Sequence, residues 1–144
     1  MILNDYGKIA SDQWYWLEQQ YQYINLYEFV VMPNHIHGII EIKRHVARKI
    51  IDEIEEADYI KAKYQSSEPM KIKSLSELMG AYKTTSSKKI HLAGYKEFNW
   101  QRSFHDHIIR NDNTFGKISR YIKNNPLKWE RDRFNKKPMI LQKQ

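Results

Sequence analysis

Two pairs of residues have the types and spacing that could serve a metal ion and a nucleophile. The first is His35-Ile36-His37, inside the run Met32-Pro33-Asn34-His35-Ile36-His37-Gly38. On an extended strand, residues two apart project to the same face, so the two imidazoles can be presented to one ion. Ile36, Ile40 and Ile42 would then point to the opposite face and anchor the strand. Two strand histidines that merely hydrogen-bond satisfy the same spacing. The second pair is Tyr121 and Asn125, in the stretch FGKISRYIKNN at 115–125. On a helix turning about 100° per residue, they fall together on the margin of the apolar stripe made by Phe115, Ile118 and Ile122. Tyr121 can serve there as a nucleophile while Asn125 offers an amide oxygen to a metal. A half-buried packing tyrosine and an asparagine helix stop fit the same positions. A further H-x-H, His105-Asp106-His107, places its aspartate on the face opposite its histidines, which favours DNA contact or a structural role for it.

The elements that must position these groups follow from periodicity. Residues 5–21 read as an amphipathic helix with Ala10, Trp14, Leu17 and Tyr21 on one face. Residues 24–32 (INLYEFVVM) read as a strand, Pro33-Asn34 as a turn, and 35–42 as a second, antiparallel strand. Residues 43–73 hold 8 Lys/Arg and 6 Asp/Glu and look like a charged helical excursion or loop within the same domain. Ser74-Leu75-Ser76-Glu77 fits a capping box, followed by a stripe of Leu75, Leu78, Met79 and Tyr82. Residues 98–110 (FNWQRSFHDHIIR) read as a third strand, and a last helix runs from Asp112 to Asn125, stopped by Pro126. The tail 130–144 is basic and reads as irregular. Helices and antiparallel strands interleaved in this way predict one α+β domain, with helices covering one face of the sheet.

Charge points to the partner. The 144 residues carry a net formal charge of +7, unevenly spread. Residues 1–82 hold 9 Lys/Arg against 12 Asp/Glu, whereas residues 83–144 hold 15 against 5. A basic half with interleaved aromatics suits a polyanion whose bases can stack, as in single-stranded nucleic acid. Lys83, Lys88, Lys89, Trp100, Gln101, Arg102, His105, Lys117, Arg120 and Lys123 are the candidates for DNA contact, with Trp100 equally suited to the core. With no cysteine, disulfides and thiolate metal sites are excluded. No apolar run is long enough to span a membrane, and the first residues lack a secretion signal, so a cytoplasmic location is expected.

Four ordered blocks carry a family resemblance: VVMPNHIHGII, SLSELMGAYKTTSSKKIH, NWQRSFHDHIIR and FGKISRYIKNNPLKW. Together they resemble the single-tyrosine HUH transposases of the IS200-like group, and above all the REP-associated tyrosine transposases. The resemblance spans most of the chain apart from 43–73 and the tail. It implies a ferredoxin-like α+β domain around a central antiparallel sheet, with His35, His37 and Asn125 as metal ligands and Tyr121 as nucleophile. It implies cleavage of single-stranded DNA beside hairpins through a 5′-phosphotyrosine, then rejoining to another strand. Mg²⁺ is the ion implied, although two imidazoles and an amide suit Mn²⁺ better by ligand softness. Members of that family usually begin with a further strand. This chain opens almost directly on the first helix, so a sheet short of one edge or central strand is one expectation. Sites built within one chain and sites shared across a homodimer both remain open. The other readings are a catalytically silent, domesticated or truncated hairpin-binding protein, a relative of replication initiators and relaxases, and a basic RNA-binding domain.

Overall fold

A computed structural model of the chain describes residues 2–46, 48–49, 52–54, 72–132, 135 and 141. Helix α1 (Asp5–Gln20) begins where Asn4 accepts the Gly7 N–H on its side-chain oxygen at 2.9 Å. Its buried residues Ala10, Trp14 and Leu17 repeat at helical spacing and aim one stripe at the sheet. Strands β1 (Ile24–Val31) and β2 (Ile36–Ile42) pair antiparallel in the register Ile24↔Ile42 to Val31↔Ile36. The connection closes with the Met32 N–H donating to the His35 carbonyl at 2.8 Å.

Helix α2 (Leu75–Leu92) starts with the expected capping box, in which Ser74 and Glu77 each take the other's backbone N–H. Its buried residues, Leu78, Tyr82, Ser86 and Ile90, recur every four positions and carry the stripe well past the polar stretch at 83–89. Gly94, at φ 107°, takes the left-handed conformation just beyond the helix, where a side chain would be strained. Helix α3 (Asp112–Asn124) is capped by Asn111 and passes through Asn125 into a 3-10 turn, Pro126–Arg131.

The hairpin is covered on both faces. Trp14 of α1 stacks on Phe29 (4.5 Å between centroids, 9° between planes) and meets Tyr82 of α2 edge-on. Leu17, Ile24 and Leu78 complete this core, and Ile36, Ile40 and Ile42 pack against it, as the strand alternation predicts. The Tyr82 hydroxyl donates to the Ala10 carbonyl at 3.1 Å, and burial raises its pKa far above the usual phenol range. Gly38 belongs to the same face, and a Cβ there would run into the Trp14 ring. His37, one residue earlier, faces the other way, toward α3. Two helices therefore share one face, as expected, and the helix bearing Tyr121 crosses the opposite one.

The α+β class, an antiparallel sheet packed against helices, is the one the sequence predicts. The expected third strand is a correction: residues 98–110 form no strand, and the sheet of the described residues has two strands. The composition of that segment suits a strand, but a strand also needs a ladder partner, and no described strand pairs with it. Its start is held by side chains, Phe98 being buried beside Ile90. The stretch 43–73 and the tail 130–144 lie largely outside the described residues. Leu141 is one exception, buried with its N–H on the Pro33 carbonyl at 2.8 Å. No described helix is long and apolar enough to cross a membrane.

Candidate functional site

The face of the hairpin opposite Trp14 gathers the first-ranked chemical residues. The Nε2 atoms of His35 and His37 lie 3.1 Å apart, with the rings nearly perpendicular. His35 leaves the turn and His37 enters β2, so the two-residue spacing does bring both imidazoles to one side. Asn34 sets the first ring: its amide oxygen lies 2.8 Å from His35 Nδ1, so that nitrogen carries the proton and Nε2 keeps its lone pair. Burial pulls the pKa of His37 down, and Asp132 partly opposes the shift through its charge. His37 is therefore neutral at physiological pH, the form that can donate a lone pair.

Helix α3 supplies the rest. The Tyr121 ring lies 5.5 Å from that of His37, and the residue is 52% exposed. Asn125, one turn later, is only 4% exposed, and its buried Nδ2 has no hydrogen-bond partner among the described residues. A buried amide with one end unsatisfied is costly and calls for a reason. A half-turn of the amide exchanges nitrogen for oxygen, so the unsatisfied end can be an acceptor. Trp129, carried back by the 3-10 turn, packs 6.1 Å from His35.

These groups fit a divalent cation. Two imidazole nitrogens 3.1 Å apart match adjacent ligands on one ion, subtending about 95° at bond lengths of about 2.1 Å. The same separation is a hydrogen bond if one ring donates. Asn125 stands one helical turn beyond Tyr121 with its buried amide nitrogen unpartnered, and no cluster of three His, Cys, Asp or Glu that could hold an ion exists among the described residues.

The candidates for DNA contact divide. Lys117 and Arg120 are exposed on the helix that carries Tyr121. Lys123 is engaged, its Nζ 2.8 Å from Glu28 Oε1. Lys83 is also committed: its Nζ donates to the Gln101 carbonyl at 2.8 Å and sits over the Phe104 ring, and partial burial lowers its pKa. Trp100 is a packing residue, its indole N–H donating to Ser86 Oγ at 2.8 Å and its ring lying against Tyr82 and Phe98. Lys88, Lys89, Gln101, Arg102 and His105 are exposed. Lys83, Lys88 and Lys89 ride on α2, in the layer on the far side of the hairpin from α3. Asn34, Trp129 and Asp132 were missed by sequence reasoning. Asn34 had a signal, since a turn asparagine beside a ligand histidine is placed to fix its ring. Trp129 and Asp132 had none, because they reach the site only through the fold-back after Pro126.

No protein-family model matches the chain, and no solved structure matches it. A protein of Haemophilus influenzae described only as uncharacterized is 34% identical over 134 residues, spanning 92% of this chain and 71% of its own length. The chain belongs to the same family as that protein.

Proposed function

We propose that this member of that family is a metal-dependent enzyme that nicks and rejoins single-stranded DNA, a transposase of the single-tyrosine HUH type, with Tyr121 as covalent nucleophile. One observation carries the reading: two segments distant in sequence, 35–37 and 121–125, set a tyrosine ring against one of two adjoining imidazoles, with an unsatisfied buried amide one helical turn from the tyrosine. A packing tyrosine would explain Tyr121 alone, but not why a half-exposed one stands against His37 of a histidine pair.

His35, His37 and Asn125 would hold the cation. When bound, it supplies positive charge to the non-bridging oxygens of the scissile phosphate and favours the phenolate of a nearby tyrosine. The remaining work falls to the chain. Asn34 keeps the His35 lone pair directed at the site, and burial keeps His37 unprotonated. Tyr121 Oη attacks phosphorus and its own proton leaves to solvent. The P–O3′ bond breaks, the 3′-oxygen takes up a proton, and the 5′-phosphate remains esterified to Tyr121. Attack by another 3′-hydroxyl reverses these steps and releases the tyrosine, so no external energy source is needed. Lys117 and Arg120 flank the nucleophile on exposed positions suited to neighbouring phosphates.

The test mixes the protein with 5′- and 3′-labelled hairpin-bearing single strands and Mg²⁺ or Mn²⁺, then looks for an adduct that survives denaturation. The expected result is an adduct on the 5′ end of the downstream fragment, absent in Tyr121→Phe. Hairpin binding with no adduct under either metal, unchanged in Tyr121→Phe, would replace this reading with that of a silent hairpin-binding protein.

A further inference from the structure

The ladder between β1 and β2 slips once. Leu26 faces Ile40 and Phe29 faces Gly38, so Tyr27 and Glu28 together oppose the single residue Ile39. Such a bulge breaks the strict alternation of faces and re-aims side chains that a regular strand would send to opposite sides. Here both neighbours reach α3. Tyr27 meets Phe115 in its first turns, the rings 5.2 Å apart and nearly perpendicular. Glu28 takes Lys123 Nζ at 2.8 Å, in the last turn of the helix. Lys123, the largest cause, and the Ser119 hydroxyl hold the Glu28 carboxyl below the usual carboxylate range, while desolvation opposes them.

The placement of these contacts on α3 matters. Ser119 and Lys123 are four apart, one above the other on one flank of the helix. Tyr121 lies two residues from each, about 200° round the axis, on the flank that meets His37. A carboxylate fixing one flank fixes the rotation of the other. A roll of about 20° would carry a side chain at the helix surface, roughly 6 Å from the axis, by about 2 Å. Displacements of that order cost about a hundredfold in rate when a nucleophile must meet its target in line. Few other contacts resist the roll, since within α3 only Ser119 and Ile122 are buried.

We propose that Glu28 is a positioning residue: from its bulge it holds Lys123, setting the rotation of α3 and thereby the stance of Tyr121 against His37. The kinetic consequence rests on the reading of Tyr121 as nucleophile, whereas the geometric claim does not. Glu28 is itself partly exposed, with 28% of its side chain accessible, so Glu28→Gln and Glu28→Ala are expected to fold.

The first arm of the test is independent of activity. The His37 ring proton resonances sense the ring current of Tyr121, and the difference between wild type and Tyr121→Ala calibrates that signal. Glu28→Ala should move the His37 resonances at least halfway to their Tyr121→Ala positions, and Glu28→Gln by less. The charge-reversed pair Glu28→Lys with Lys123→Glu should bring them back. His37 resonances in Glu28→Ala within a tenth of the calibrated difference from wild type would overturn the proposal, as would a shift that the reversed pair leaves uncorrected.

The second arm measures single-turnover adduct formation on a labelled hairpin strand. Glu28→Ala should slow the covalent step about tenfold or more with strand affinity unchanged within about twofold. A loss confined to affinity would overturn the positioning role. Absence of adduct from the wild type itself would count against the nucleophile reading, and the resonance arm would still decide the geometry.

Discussion

On the face of the hairpin covered by α1 and α2, large side chains are driven almost wholly out of water: Leu17, Leu78 and Tyr82 are each 0% exposed, and Trp14 is 2% exposed. On the face crossed by α3, the helix buries one serine and one isoleucine, and its tyrosine is half exposed. The first face is held by apolar area and interlocking rings, the second by an ion pair and the ring contacts of Phe115, Tyr121 and Trp129. At about 25 cal/mol per Å² of apolar surface buried, the first face supplies most of the stability. The second is left free to satisfy the angular demands of a reaction. β2 joins them, since Gly38 seats the Trp14 ring while His37 beside it faces Tyr121.

The sharpest way to break this division is to change one residue on each side. Tyr121→Phe should lower adduct formation by about 10³-fold or more while leaving unfolding free energy within about 0.5 kcal/mol, measured by urea titration. His35→Ala should cost at least about 10²-fold in metal-dependent cleavage and keep much of the DNA affinity, read by gel shift against nicking. Leu17→Ala should do the reverse. It should lose about 2–5 kcal/mol of stability, with the folded fraction forming adduct at the wild-type rate. A Leu17→Ala protein that folds yet does not react, or a Tyr121→Phe protein that unfolds, would dissolve the contrast.

Two smaller effects sharpen it. Asn34→Ala should weaken metal binding by about 10–100-fold, followed by calorimetry, because His35 loses the acceptor that fixes its proton on Nδ1. The smallest effect concerns His37 in the metal-free protein. Its folded pKa is depressed, so the unfolded state takes up a proton first as pH falls. The contribution to stability is then present above the ordinary imidazole value of about 6.5, and is lost as pH falls from there through the folded pKa. Melting temperature across that interval should fall on acidification in wild type more than in His37→Phe.

What the sequence made legible was whatever depends on local spacing. The capping box at Ser74, the stripe through Trp14 and Leu17, and the two-residue period that turns Ile36, Ile40 and Ile42 inward can each be read within one element. So can the shared side of His35 and His37, and the one-turn relation of Tyr121 to Asn125. The failures all involve a partner that spacing cannot name. Residues 98–110 have strand composition but no pairing partner among the described residues, and Trp100 spends its indole N–H on Ser86. Lys83 and Lys123 carry the right charge for phosphate, yet each is taken by an acceptor far along the chain. The bulge at Tyr27-Glu28 is equally silent in the sequence, because it is defined only against Ile39 on the other strand.

The tie between Leu141 and Pro33 bears on how the molecule comes into being. The Leu141 N–H is bound by the carbonyl two residues before His35, and its own carbonyl sits where a Cβ of Gly7 would be. The hairpin and α1 emerge early from the ribosome, but the residue that latches the histidine turn to the first turn of α1 emerges long after them. A nascent chain can therefore bury Trp14 and Leu17 while the turn beneath His35 still lacks its latch. Competence at the histidine pair would then arrive late, after most of the hydrophobic core has closed.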